Sequence, residues 1–228
     1  MRDSNKITTI KIIAGKFRGK ILNATLLPTT RPTKAIVRES VFNTIAPFLR
    51  GKIFIEVFAG YGSMGFEALS RGAGQVIFLE KDKLAFSVLQ KNIALFGSES
   101  HKILAKNVDS FEILGKMLGE SKSAIFYFDP PFGDNGEFYK RIFEILEGAQ
   151  DCANIAESNY SAESTKNIAE SRLDSADSAI SHESQNLANK ILIFEHISSF
   201  KMPDFIAHFP HQKCKKFGKT SVSYYFMA

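Results

Sequence analysis

Residues 52–69, KIFIEVFAGYGSMGFEAL, constrain the fold of this 228-residue chain more than any other stretch. An apolar run of strand type passes through Gly60, Gly62 and Gly65 straight into a helical pattern. The theme then repeats. QVIFLE (75–80) is a second strand, and DKLAFSVLQKNIALFG (82–97) is a helix with Asp82 at its start and Gly97 at its end. HKILAKN is a third strand, followed by a helix from Asp109 to Leu118. SAIFYF is a fourth strand, GEFYKRIFEILE a helix and KILIFEHI (190–197) a fifth strand. Strands alternating with helices predict a parallel α/β sheet. The tail HQKCKKFGKTSVSYYFMA (211–228) reads as two strands joined near Gly218. Such a closing antiparallel hairpin is unlike the common nicotinamide-binding domain.

Ahead of this region, ITTIKIIAGKFRGKIL (7–22) reads as two short strands around Gly15 and Gly19. A helix is expected after Pro32, with Thr33 as a candidate N-cap. Val37, Val41 and Ile45 recur every fourth residue and define its apolar face. Residues 1–50 are therefore expected to form a hairpin-and-helix extension, and 51–228 the main domain. Composition changes at 151–189, which has no Phe and is dominated by Ser, Ala and Asn. Such a segment buries too little apolar surface to offset its ordering entropy, so it reads as a disordered insertion.

Charge is divided unevenly. The chain carries +5 overall, but the insertion holds seven acids and two bases. The remainder has 27 bases against 17 acids, a surplus of ten that would attract a polyanion such as nucleic acid. The two cysteines, Cys152 and Cys214, form no C-x-x-C pair or Cys/His cluster, so no metal site is expected. Neither a membrane-spanning apolar run nor a signal peptide is evident, and a reducing cytoplasmic setting is expected.

Gly60, Gly62 and Gly65 have the G-x-G-x-x-G spacing, and Glu80 follows Gly60 by 20 positions, where a ribose-binding carboxylate would sit. That pattern serves nicotinamide dinucleotides and other adenosyl cofactors alike. A second motif separates them. Asp129-Pro130-Pro131-Phe132 follows the fourth strand, at the end where open α/β sheets bind ligands. The prolines hold Asp129 extended, so its carboxylate and a backbone carbonyl form a rigid pair of acceptors. Two acceptors suit an amino group, and Phe132 offers a flat face for a base. Alone, Asp-Pro-Pro could be a turn with a surface acid and a core Phe. Its position beside the glycine loop and Glu80 favours the hook.

These stretches, with IIAGKFRGKIL, RPTKAIVRESVFN, FEH and KKFGKTSVSYY, resemble the RsmD family of bacterial 16S ribosomal RNA guanine-N2 methyltransferases. The resemblance covers almost the whole chain outside 151–189. It implies a class I S-adenosylmethionine-dependent methyltransferase fold, Rossmann-like, with a seven-stranded, mostly parallel sheet. It also implies methyl transfer from S-adenosyl-L-methionine to the 2-amino group of a guanine in 16S rRNA, by a monomer acting on a partly or fully assembled small subunit. Since the hook recognises an amino group, adenine-N6 methylation is the alternative reaction. An RNA-binding assembly factor without catalysis is the alternative of another class.

By the resemblance, Asp129, Pro130 and Phe132 are the catalytic hook. Glu56, Gly60, Gly62, Gly65, Glu80, Asn107 and Val108, with Arg31, Pro32 and Thr33, contact the cofactor. Glu56 would hold its amino group, directly or through water, and Glu80 its ribose. Lys16, Arg18 and Lys20, expected on one face of a strand, would grip RNA together with Lys34 and Arg38; a solvated polar face is the plain alternative. The chain departs from the family pattern at Ala14, Glu56 and Tyr61, where Gly, Asp and a small residue are usual. Tyr61 is expected to place its ring over the cofactor loop.

Overall fold

The computed structural model describes residues 7–25, 35–121, 123–131, 136–149 and 190–226. In chain order the elements are β1 (Ile7–Lys11), β2 (Ile21–Thr25), α1 (Ala35–Leu49), β3 (Ile53–Glu56), α2 (Ser63–Ser70), β4 (Gln75–Leu79), α3 (Lys83–Ala94), β5 (Ile103–Lys106), α4 (Ser110–Glu120), β6 (Ala124–Phe128), α5 (137–149), β7 (Ile191–Ile197), β8 (Phe205–Ile206), β9 (Phe209–Phe217) and β10 (Thr220–Phe226). The insertion expected at 151–189 and the cap expected at Thr33 lie outside the described residues.

The main sheet has the order β5-β4-β3-β6-β7-β10-β9-β8. Its first five strands are parallel, and β10 runs antiparallel between β7 and β9. This is the α/β sheet with a closing hairpin that the sequence implied, with eight strands instead of seven. The additional strand is β8, two residues long, which pairs Ile206 with Phe209. The chain steps from β3 out to β5, then returns past β3 to β6 and β7. That reversal opens a crevice at the carboxyl ends of β3 and β6.

Every residue of β6 is buried, as expected for a strand covered on both faces. Ile125 and Tyr127 pack with Phe54, Val76, Phe78 and the residues of α1, α2 and α3. Ala124, Phe126 and Phe128 face the other way, against Leu114 and Leu118 of α4 and Ile142 and Leu146 of α5. Helix starts follow the local signals: Asp82 accepts the Ala85 amide at 2.7 Å, and Asp109 accepts the Phe111 amide at 3.1 Å. Val37, Val41 and Ile45 form the buried face of α1.

The N-terminal hairpin differs from expectation. Its strands end at Lys11 and resume at Ile21; Ile12 still exchanges backbone hydrogen bonds with Gly19 and Lys20, while residues 13–17 are fastened to α2. Ser70 Oγ accepts the Phe17 amide at 2.9 Å and donates to the Ala14 carbonyl, while the Ser70 carbonyl accepts the Lys16 amide at 2.7 Å. Gly15, at φ 84°, lies so close to α2 that a Cβ there would fall 1.9 Å from the Ser70 carbonyl oxygen. Lys16, Arg18 and Lys20 therefore do not alternate along one strand face. The strand pattern is overridden by anchors more than 50 residues away.

Candidate active site

The glycine loop leaves β3 attached to both neighbouring strands: the Val57 amide donates to Tyr127 O and the Ala59 amide to Leu79 O, each at 2.9 Å. Gly62 then closes a tight turn on Ala59 O at 2.7 Å with φ 84°. A Cβ on Gly62 would sit 2.6 Å from Phe66 and 2.7 Å from Leu89, and one on Gly65 2.3 Å from the Phe78 ring. The third glycine is thus required by close helix–strand packing. Tyr61 is a correction. It is 3% exposed, its ring lies in the core, and its carbonyl accepts Asn92 Nδ2 at 3.1 Å.

Two carboxylates shape this loop. Glu56 accepts the amides of Met64 at 3.2 Å and Gly65 at 2.7 Å, which satisfies the start of α2 where Gly62 has no side chain to do so. Glu56 is buried, and burial pushes its pKa up to about 8. Its carboxylate is thus engaged by the helix terminus. Glu80, half-buried just past β4, accepts the Gly60 amide through one oxygen and the Asp82 amide through the other, both at 2.6 Å. Burial, the largest influence, raises its pKa also. Asn107 is exposed and donates through Nδ2 to the carbonyls of Glu80 and Lys81 at 2.8 and 3.1 Å, and the Val108 amide donates to Glu80 O. Both residues therefore brace the segment that carries Glu80.

Asp129 and buried Pro130 follow β6 directly, across the crevice from the glycine loop. Beneath them Tyr127, 1% exposed, donates its hydroxyl to Glu195 Oε2 at 2.5 Å. Burial raises the Tyr127 pKa well above normal, with the charges of Glu195 and Asp129 adding to it. His196 is buried, pairs with Ser223 Oγ and Ile197 O at 2.9 Å, and has its pKa lowered by burial. Phe132, Arg31, Pro32, Thr33 and Lys34 lie outside the described residues.

Arg38 is a second correction. A base on α1 reads as an RNA contact, yet Arg38 is 3% exposed. It donates to Lys11 O at 2.9 Å, and its Nε lies 3.8 Å from Glu67 Oε2. Burial lowers its pKa, with Glu67 and Glu56 acting in opposition. Glu67, fully buried, also accepts Arg71 Nε at 2.7 Å and the amides of Ile13 and Ala14 at 2.8 and 3.0 Å. Lys16 pairs with Glu99 at 2.6 Å, and Lys20 donates to Leu95 O beside the rings of Phe17 and Phe96. Arg18 is exposed.

Sequence reasoning missed Glu67, Asn92 and Glu195. Asn92 on α3 accepts the Asn23 amide at 2.8 Å and donates to Asn23 O and Tyr61 O, joining the hairpin to the glycine loop. Its partners lie 69 and 31 residues away, so no local pattern announces it. Among the described residues, no helix is long and apolar enough to cross a membrane, and no group of three His, Cys, Asp or Glu could hold a metal ion.

Residues 10–172 match the family model described as Conserved hypothetical protein 95. Ribosomal RNA small subunit methyltransferase D of Haemophilus influenzae is 36% identical over 126 residues, 55% of this chain and 65% of that protein. The protein of the same name from Escherichia coli is 36% identical over 123 residues, 54% of this chain and 60% of that one. Both matches span less than two thirds of the relative's length. A solved Escherichia coli structure, "Putative methyltransferase yhhF", has a TM-score of 0.63 at 22% identity, covering 96% of this chain and 97% of that one. The fold is that of the class I methyltransferases. With the family model spanning more than two thirds of its length, the chain belongs to the Conserved hypothetical protein 95 family, that of the RsmD proteins.

Proposed function

We propose that the chain transfers a methyl group from S-adenosylmethionine to the 2-amino group of a guanine in the 16S RNA of the small ribosomal subunit. The reading rests on one arrangement: the glycine loop after β3, Glu80 after β4 and Asp129 after β6 meet at the carboxyl ends of three adjacent parallel strands. Their crevice lies where strand order reverses, the usual ligand site of such sheets. The names of the relatives support ribosomal RNA as the substrate.

The residues present fit this cofactor. Glu80 is held by one amide on each oxygen. A carboxylate has about four lone-pair positions, so two vicinal ribose hydroxyls can still be accepted. Gly60, Gly62 and Gly65 are assigned to the cofactor loop, Gly62 and Gly65 by letting the loop turn and α2 pack closely behind it, and Asn107 and Val108 border the adenine end. Glu56, which fixes the start of α2 through the Met64 and Gly65 amides, is assigned to the cofactor amino group, directly or through water. Bound there, S-adenosylmethionine supplies an electrophilic methyl group.

The guanine amino nitrogen is a weak nucleophile because its lone pair is delocalised into the ring. Asp129 and the Pro130 carbonyl accept its two N–H groups, which reduces that delocalisation and fixes where the lone pair points. The Asp129 charge favours the positive charge that develops on nitrogen. Phe132 is assigned to stacking the base, which has to leave its helix to enter the crevice. Lys16, Arg18 and Lys34 are assigned to RNA phosphates, with residues 1–50 as the extension that carries them.

The test is incubation with methyl-labelled S-adenosylmethionine and either naked 16S RNA or assembled small subunits, followed by nucleoside mass spectrometry. N2-methylguanosine is expected. N6-methyladenosine would replace guanine by adenine, and RNA binding without transfer to either substrate would make the chain an assembly factor.

A further inference from the structure

We infer that the turn between β9 and β10 grips, through Lys216 and Lys219, the backbone of the RNA strand that delivers the target guanine; the inference rests on the proposed reaction. β7 and β9 both run antiparallel to β10, so β9 ends, like β3, β6 and β7, on the crevice side of the sheet. Lys216 pairs with Ser221, and Ser221 with His196. His196 lies two residues past Phe194, the partner of Phe128, and is therefore level with Pro130. Three strand spacings separate Lys216 from the hook, about 14 Å. Lys219 stands in the turn itself, beyond that level. Lys16, by contrast, is fastened to Ser70 at the far end of α2, about 12 Å along that helix from the glycine loop.

The turn is a fixed cationic platform. The Ser198 amide donates to Lys219 O at 2.9 Å, and the Ser198 hydroxyl to Gly218 O at 3.0 Å. Gly218, at φ 68°, supplies the positive φ that a two-residue turn between paired Phe217 and Thr220 demands. Residues 205–228 carry four lysines and no acid. Among the described residues, no carboxylate lies within ion-pair distance of Lys213, Lys215, Lys216 or Lys219. Lys213, Lys216 and Lys219 are exposed. Lys215 is half-buried, and its amine donates to hydroxyls instead, Ser40 Oγ at 3.2 Å and Thr44 Oγ1 at 2.8 Å. Burial lowers its pKa, and the charge of Lys213 lowers it further. Like charges gathered on one hairpin repel each other, and a polyanion relieves that repulsion. Phosphate contacts position a nucleic acid without reading its sequence. A strand that carries one extruded base needs such a hold beside the hook.

The experiment measures binding of the full chain to 16S RNA as salt is varied, with methylation of the same RNA assayed in parallel. Lys216→Ala combined with Lys219→Ala is expected to weaken binding about tenfold and to flatten the slope of log affinity against log salt by about 1.4–1.8, the counterion release of two phosphate contacts. Thermal midpoint and S-adenosylmethionine affinity are expected to hold. Lys216→Arg combined with Lys219→Arg is expected to restore both affinity and slope. Lys91→Ala combined with Lys116→Ala removes the same charge from exposed positions on α3 and α4 and is expected to leave the slope unchanged. An unchanged slope in the Lys216 and Lys219 pair overturns the inference. So does an equal loss in the α3 and α4 pair. Intact RNA binding by the unaltered chain without N2-methylguanosine overturns the proposed reaction alone.

Discussion

Glu56 on β3 accepts the Gly65 amide at 2.7 Å, so the strand before the glycine loop caps the helix after it. Burial lifts the Glu56 pKa from 4.5 to about 8, against the pull of the Gly65 and Met64 amides and of Arg38. Between those values the folded chain keeps a proton that the unfolded chain has lost. Glu56 therefore favours folding most below about pH 4.5, and its contribution falls as pH rises through about 8. Urea unfolding of the chain and of Glu56→Gln, compared across this window, should show the unaltered chain losing a few kcal/mol relative to the variant. Parallel pH profiles would show that Glu56 is ionised in the fold throughout.

Gly65→Ala should destabilise the fold by about 1–3 kcal/mol, because overpacking forces rings or backbone to shift. The added Cβ would meet Phe78 at 2.3 Å and Val76 at 2.6 Å, and Phe78 is itself packed on Phe66. Denaturant midpoints measure this. A neutral result would mean that α2 can lift from β4 without cost.

Removing Glu67 leaves Arg38 buried without its carboxylate and strands the amides of Ile13 and Ala14. Glu67→Ala is expected to cost about 3–5 kcal/mol, the scale for breaking a buried pair from one side. Hydrogen exchange at Ile13 and Ala14 should accelerate more than exchange in β6. Uniform acceleration would argue that Glu67 serves the whole fold and not the hairpin in particular.

Glu80→Ala should weaken S-adenosylmethionine binding by about 1–3 kcal/mol, the scale for losing a charge-assisted hydrogen bond. It also frees the Gly60 and Asp82 amides, so Glu80→Gln is the gentler companion. Calorimetry on both variants provides the measurement. Unchanged affinity in both would remove Glu80 from the cofactor site.

Asp129→Asn and Asp129→Ala should slow methyl transfer, Ala the more, by about 100- to 1,000-fold, while cofactor affinity changes little. Single-turnover assays alongside calorimetry distinguish the two effects. Near-normal turnover by Asp129→Ala would remove the hook from the mechanism.

What the sequence made legible was local or repetitive. The glycine loop, the Asp82 and Asp109 caps and the alternation of strands and helices are each written within a few residues. What it hid depends on distant partners. Lys16, Arg18 and Lys20 alternate as a strand would, but Ser70 and Glu67 hold residues 13–17 out of the ladder. Arg38 has the look of a surface base until Glu67, 29 positions later, draws it inside. Glu195 sits in an apolar strand, and only the pairing of β7 with β6 sets it beside Asp129. β8 is two residues long, too short for any periodicity to register.

The place of β10 between β7 and β9 bears on how the protein is made. A ribosome delivers β7 and β9 before β10, so until Phe226 has emerged each strand has one of its two final neighbours, β6 or β8, and lacks the strand that joins them. For that interval the nascent chain displays the open edge of β7, whose residues 191–196 are buried once folding is complete. Unpaired apolar edges recruit other strands. Synthesis that stalls inside β10 would therefore leave a sticky intermediate, and the final seven-residue strand works as the clasp that ends this exposure.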